Sequence, residues 1–326
     1  MTLKNPIEAE TQKSVLTSAI GRAQGSNSIG QFPHQDMQVQ SWIVFGCLTL
    51  FLLIAYWNMI TPLFDVWGDP QYSHGWLIPA IAVALLWLRR EPFFDVPDSH
   101  RWIGVALIAF GTLLRVMGSY RVLFTIDRLS FIPCLLGVFV LVGGLRTMRW
   151  AGPPVVFLVL MFPWPRVLTD AISRPLKLLA TKFSVFGLQS LGVEAYRDGN
   201  RIQLENMPMQ VVDQCSGLRM LTVFVAMAVA MAIMMTNRPW WERLIVVASA
   251  VPIALIVNVI RITATGIMYN MGLAHDYHTL IHDVWGWTMM PIALGLLFLE
   301  FWVLSHLLVD EDAETSAHLG ISHITK

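Results

Sequence analysis

Cys215, Arg261 and His282 stand on three separate apolar stretches of the 326-residue chain. Together they are the parts of a thiol active site. A cysteine thiolate attacks a carbonyl and splits one hard acyl transfer into two easier steps. An arginine, charged at any working pH, stabilises the oxyanion that forms. An imidazole carries the proton to the leaving group and takes one from the incoming acceptor. Threaded through a bilayer, the three stretches bring all three residues to one membrane face.

The three cysteines are separated by their surroundings. Cys47 and Cys134 sit inside apolar runs, where a buried thiol packs as a small hydrophobe. Cys215 follows a polar loop and opens an apolar helix, where the helix dipole and Arg219, one turn deeper, favour the thiolate. An odd count with two thiols submerged argues against a disulfide framework. Arg219 and Arg261 fall near the outer ends of apolar segments, where a guanidinium either snorkels to the headgroups or faces a cavity or partner. Asn258, three residues before Arg261 on the same helical face, supplies groups that would hold it inward.

His275, His278 and His282 share a face if their segment is helical, with Asp276 and Asp283 flanking them. Two readings stand. The set has ligand types and a spacing that zinc accepts. Alternatively one histidine is the acid and base for the thiol and the others are loop residues. His282, directly before the last apolar stretch, is the best placed, because a helix N-terminus favours the neutral imidazole that can accept a proton. His74 could line the same outer cavity; as a residue at an interfacial helix start it is equally well accounted for.

The elements that must position these groups follow from composition. Hydrophobic residues make up 55% and charged residues 13% of the chain, which places it in lipid. A hydrocarbon core of about 30 Å takes about 20 helical residues. Apolar stretches at 41–61, 75–89, 102–118, 129–146, 151–165, 217–236, 243–262 and 285–309 predict about eight transmembrane helices, the second and fifth short. Lipid offers no hydrogen-bond partners, so the spans are helical and the fold class is an all-α polytopic membrane protein. With the N-terminus inside, the inner loops carry Arg89, Arg90, Arg101, Arg146, Arg149, Arg238 and Arg243, and the short outer loops only Arg121 and Arg128. That bias predicts both termini in the cytoplasm and the site on the outer side.

Residues 1–40 are polar, lack a signal-peptide pattern and read as a mobile cytoplasmic tail; 310–326 read as a polar cytoplasmic tail. Between them, 41–309 form the membrane domain with one extracytoplasmic insertion, 166–214. Its first half has Ile172, Leu176, Leu179, Phe183 and Phe186 at helical spacing among basic residues, which predicts an interfacial helix. A ninth span there would move the N-terminus across the membrane and is disfavoured. In the second half, Asp198-Gly199 marks a tight turn of a short β-hairpin leading towards Cys215.

These residues resemble the exosortases, polytopic membrane analogues of the sortases. Cys215-Ser216-Gly217-Leu218-Arg219 is similar to the family's cysteine motif, Asn258-Val259-Ile260-Arg261 to its Asn-x-x-Arg motif, and His282, four residues before Gly286, to its histidine. Tyr72-Ser73-His74-Gly75 with Pro79, Pro163-Trp164-Pro165 and Arg197-Asp198-Gly199-Asn200-Arg201-Ile202 extend the resemblance over most of residues 65–300. The family commonly has Glu-Ala-Cys where this chain has Asp213-Gln214-Cys215, a shorter acid that puts its own role in question and leaves the thiol chemistry in place.

The resemblance implies a transpeptidase of the bacterial inner membrane that needs no metal or cofactor. Its partners would be exported proteins with a C-terminal sorting signal: a short motif such as Pro-Glu-Pro, an apolar helix and a basic tail. The bilayer and an acceptor of unspecified identity complete the set, with no nucleic acid. Cys215, Arg261 and His282 would be catalytic, and Arg219, Asn258, Asp213 and His74 supporting or substrate-binding. Two other classes compete. A metal-dependent membrane hydrolase would use His275, His278, His282 and Asp283, but the chain lacks a His-Glu-x-x-His helix. A transporter would line a path with Arg219, Asn258 and Arg261, yet these gather at one face and no inverted repeat is visible.

Overall fold

The structure, a computed structural model, describes residues 35–121, 123–204, 208–210, 218–236 and 238–272, and residues 291, 292, 295, 296, 298, 299, 302 and 303 of the last helix. In chain order the elements are α1 (Gln35–Ala55), α2 (Trp57–Gly68), a 3-10 turn (Pro70–Trp76), α3 (Leu77–Arg89), α4 (Asp98–Tyr120), α5 (Phe124–Leu129), α6 (Phe131–Gly143), α7 (Thr147–Trp150), α8 (Gly152–Phe157) and a second 3-10 turn (Leu158–Met161). Then come α9 (Arg166–Ser190), β1 (Ala195–Asp198), β2 (Arg201–Leu204), β3 (Pro208–Gln210), α10 (Leu218–Met234) and α11 (Trp240–Asn270).

Among the described residues, four helices are long and apolar enough to cross a membrane: Asp36–Ala55, Asp98–Tyr120, Phe124–Gly143 and Trp240–Asn270. A fifth is reached if Gly152–Met161 and Arg166–Ser190, bent by 79°, count as one span. The eight expected spans are therefore matched only in part by helices of sufficient length. The 75–89 stretch is helical over 13 residues, about 20 Å at 1.5 Å per residue, because the 3-10 turn before it takes up Gly75 and Trp76. Residues 151–165 give one short helix and a 3-10 turn that ends ahead of Pro163-Trp164-Pro165. The α10 helix has 17 residues, about 25 Å. The expected span 285–309 lies largely outside the described residues.

Large apolar side chains face outward along α1 and α4, among them Phe51, Ile54, Trp102 and Val116. Helices that are apolar all round belong in a lipid environment. Inside, α4 and α6 approach through glycine: a Cβ at Gly111 would lie 2.4 Å from Cys134 Sγ, and one at Gly104 would lie 2.8 Å from the Leu141 amide nitrogen. Such close approach is how helices associate in lipid, where van der Waals contact replaces the hydrophobic effect. Cys134 is buried in this contact, as expected of a packing thiol. Cys47 is exposed on α1, which corrects its reading as a buried one.

The insertion has the expected helix and the expected hairpin, each with a correction. On α9 the apolar residues picked out by spacing divide. Ile172 and Leu176 pack inward, but Leu179 (42%), Phe183 (46%) and Phe186 (70%) are exposed. The buried face is instead Ser173, Ala180, Thr181, Ser184, Val185 and Leu188. Small residues win it because the backbones come close: a Cβ on Gly187 would stand 3.1 Å from Thr263 Oγ1. The hairpin pairs Asp198 with Arg201 and Ala195 with Leu204 across Gly199, which takes φ +61. A third strand, β3, extends it to a sheet ordered β1-β2-β3, which the hairpin expectation did not include. Ala195, Ile202 and Leu204 bury against Ala180, Val185 and Leu188 of α9 and Ile262 of α11. The sheet is thereby anchored beside the turn of α11 that carries Arg261.

Candidate functional site

A five-residue link, 235–239, joins α10 to α11. Leu221, Phe224, Ala228 and Met235 of the first arm share one core with Val246, Ala250, Ala254 and Val257 of the second, the pattern of an antiparallel helical hairpin. Counting equal rises from the link sets Leu218 level with Ile256. Arg261 then lies about 7.5 Å beyond the level of Leu218, the first described residue of α10.

Asn258 and Arg261 are 1% and 8% exposed, and Arg261 Nη2 donates to Asn258 Oδ1 at 2.9 Å. Of the two orientations open from position alone, the structure takes the inward one. Neighbouring elements close around this turn: Ser184 Oγ of α9 donates to the Val259 carbonyl at 3.4 Å, and Ile262 packs under the sheet. The i, i+3 spacing that the sequence displays is thus realised as one fixed, buried, positively charged donor.

Arg219, in the first turn of α10, donates from Nη2 to Ser73 Oγ at 3.3 Å. Ser73 belongs to the 3-10 turn, so this bond ties Tyr72-Ser73-His74-Gly75 to the start of α10. The turn is fixed at its other end as well. Asp69 caps it, accepting from the Gln71 amide at 2.8 Å. Gly75 lies under Trp67, whose indole Nε1 donates to the Met161 carbonyl at 2.9 Å. Sequence reasoning gave Ser73 no role of its own. Its signal is a hydroxyl directly beside His74 in the Tyr72-Ser73-His74-Gly75 stretch.

His74 is buried, at 7% exposure, and its Nδ1 has no hydrogen-bond partner among the described residues. Burial holds its imidazole below the ordinary value of 6.5; the nearby Leu160 carbonyl opposes this, the Arg219 cation adds to it, and the Gln71 carbonyl opposes it again. The ring lines a cleft of about 290 Å³, open mouth included, with Gln71, Tyr72, Phe162, Trp164, Thr169, Leu218 and Thr222 around it. Segments far apart in sequence, 71–74, 162–164 and 218–222, meet there.

The structure therefore joins Asn258 to Arg261 and sets Arg219 beside His74 by way of Ser73. Cys215, Asp213 and His282 lie outside the described residues, as do His275, His278 and Asp283 of the metal reading. Among the described residues no group of three His, Cys, Asp or Glu is arranged to hold a metal ion.

A comparison with protein families matches residues 66–299 to the family described as transmembrane exosortase. No curated protein and no solved structure matches the chain.

Proposed function

The chain belongs to the transmembrane exosortase family, and from that premise we propose that it is a membrane cysteine transpeptidase acting on the C-terminal sorting signal of exported proteins. Cys215 is its nucleophile. As thiolate it attacks the scissile carbonyl, Arg261 faces the oxyanion, and His282 protonates the departing amine, leaving a thioester on Cys215. In the second half, His282 takes the proton of the acceptor as that acceptor attacks the thioester, and the thiolate leaves.

The observation that carries this reading is the buried Asn258–Arg261 pair in the second half of α11. A guanidinium at membrane depth is costly unless it has a task or a partner. This one is fixed before any substrate arrives, as an oxyanion donor needs to be. Chain connectivity supports the pairing with the thiol. Cys215 stands three positions before Leu218, which limits it to about 11 Å from that residue. Asn258 positions Arg261, and Arg219, His74 and Asp213 serve the substrate or tune the thiol.

The sidedness of the site is supported by where the other arginines gather. Arg89 donates to the carbonyls of Ile233 and Arg149, and Arg243 donates to those of Thr236 and Arg238. These four mark the linked end of the α10–α11 hairpin, opposite Arg219 and Arg261. Basic residues are retained in the cytoplasm. The linked end then faces inward, the site faces the extracytoplasmic boundary, and both termini lie inside.

The test is mass spectrometry of the protein in proteoliposomes with a tail-anchored reporter carrying a short motif, an apolar helix and a basic tail. A thioester on Cys215, absent in Cys215→Ala, is the expected result. Processing retained in Cys215→Ala would overturn the proposal.

A further inference from the structure

We infer that the linked end of the α10–α11 hairpin binds the phosphate of an anionic phospholipid headgroup, with Arg89 and Arg243 as its donors. The inference needs only that the chain lies in a membrane. It is independent of the chemistry at Cys215.

Two guanidiniums are gathered there by carbonyls at and just beyond the end of α10, where a helix leaves acceptors without intrahelical partners. Arg89 Nη1 donates to the Ile233 carbonyl, and its Nη2 to the Arg149 carbonyl of α7 at 3.1 Å. Arg243 donates from Nε to the Arg238 carbonyl at 3.0 Å and from Nη2 to the Thr236 carbonyl at 2.7 Å. Each guanidinium carries five N–H donors, and these bonds engage two of them. The backbone thus fixes both cations and leaves donors over. Ile233 and Thr236 are three positions apart, close enough for one headgroup to meet both side chains. Arg89 and Arg243 also act on each other as like charges, a repulsion that an anion bound to both relieves. Among the described carboxylates, Glu242 is buried against Arg238 at 3.8 Å, and Glu91 offsets part of the Arg89 charge.

The surroundings say which phosphate fits. Trp87, two residues before Arg89, and Trp240, three before Arg243, are both exposed, and Arg90 Cζ stands 3.6 Å over the Trp87 ring. Exposed tryptophans mark the headgroup level of a bilayer. Leu88, Leu244 and Ile245 are exposed beside them and offer apolar surface to acyl chains. A soluble phosphate would use the arginines alone, whereas a phospholipid uses the arginines and the apolar rim together.

The experiment takes the full chain in phosphatidylcholine nanodiscs and titrates in phosphatidylglycerol. Native mass spectrometry reads the lipid retained, and thermal unfolding reads stability. One phosphatidylglycerol held per chain is expected, with a Tm that climbs with its concentration, as for a ligand that binds only the folded state. Arg243→Gln and Arg89→Gln should each weaken retention about 10- to 100-fold, the loss of a hydrogen bond to a charged group. Arg243→Lys keeps the charge without the planar fork and should retain part of the affinity. Arg101→Gln is the control: Arg101 is exposed and paired with Asp98 at the start of α4, and its loss should cost about fivefold or less, the share of diffuse surface attraction. Unfolding in phosphatidylcholine alone shows that each variant is folded.

Equal retention of the two lipids would overturn the site. So would a loss in Arg101→Gln as large as in Arg243→Gln, since that is the mark of diffuse charge. Glycerol phosphate in solution protecting as well as the lipid would hand the arginines to a soluble anion instead. A lipid preference that emerges only after deletion of residues 310–326 would assign the site to the chain's own acidic stretch, Asp310-Glu311-Asp312, and end the lipid proposal. No reporter is processed in any of these measurements, so the transpeptidase reading stands or falls separately.

Discussion

Arg261 and Asn258 hold each other inside α11, guanidinium Nη2 to amide Oδ1, one helical turn apart and both out of solvent. Asn258 is a neutral acceptor and holds the guanidinium without adding a charge of its own. Asn258→Ala should remove the acceptor and leave Arg261 with a freer rotamer. Stability should fall by about 1–3 kcal/mol, the cost of an unsatisfied buried group. The rate of thioester formation on Cys215 should fall about 10- to 100-fold with KM nearly unchanged, because the loss is in the transition state. Asn258→Asp should hold Arg261 in place but neutralise it, so it should recover stability and not rate. Single-turnover mass spectrometry beside thermal unfolding in detergent separates the two effects. A KM effect equal to the rate effect would count against the oxyanion assignment.

The Asn258–Arg261 contact was legible in the sequence because it is local: i, i+3 spacing on a helix fixes which side chains meet. The Arg219–Ser73 bond was not, since it spans 146 residues and depends on how the 3-10 turn docks against α10. Helices were legible from hydropathy, but their lengths were not. Apolar runs near Pro163 and in the turn up to Trp76 continue through 3-10 turns that composition does not distinguish from helix. The buried face of α9 was misread for a physical reason. In water the largest apolar residues mark the core, whereas in lipid Leu179, Phe183 and Phe186 can face outward and the small face around Ala180 and Ser184 makes the close contact. The turn at Gly199 was legible from Asp198-Gly199, while β3 follows residues with no alternating pattern.

Gly75→Ala tests whether the 3-10 turn is a fixed part of the site. A Cβ there would lie 2.1 Å from Trp67 Cδ1. The indole has little freedom to yield, being bonded to the Met161 carbonyl and edge-packed on Phe64 and Trp76. The substitution should cost about 1–3 kcal/mol, as overpacking does. It should also shift His74 and Ser73 and weaken the hold on Arg219. Unfolding measurements should show the loss, and Trp67→Phe on the Gly75→Ala background should return part of it by clearing space.

Gly111→Val provides the matching control away from the site. Its Cβ would fall 2.4 Å from Cys134 Sγ and 2.9 Å from the Ser130 carbonyl, so α4 and α6 would have to separate. The expected loss is about 1–3 kcal/mol or more, since backbone cannot yield as a side chain can. The fraction of protein that remains folded should form the Cys215 thioester at the unaltered rate. Gly111→Val paired with Cys134→Ala should recover stability only in part, because the Ser130 contact persists. Full recovery would mean that the sulfur alone sets the spacing.

His74 gives the fold a pH dependence whose sign follows from its burial. Its folded-state pKa lies below the ordinary 6.5, with desolvation the leading cause and the Arg219 charge adding to it. The unfolded chain therefore binds this proton more readily than the folded one, and stability rises with pH wherever that holds. The contribution is fully present above about pH 6.5 and is lost as the pH falls from there through the depressed folded value. Among the described residues, Tyr72 is the other titratable side chain that lines the cleft. Wild-type thermal stability should thus fall between about pH 7 and pH 5 more steeply than that of His74→Gln, the difference belonging to this one imidazole. Equal slopes would place the His74 ring in contact with water.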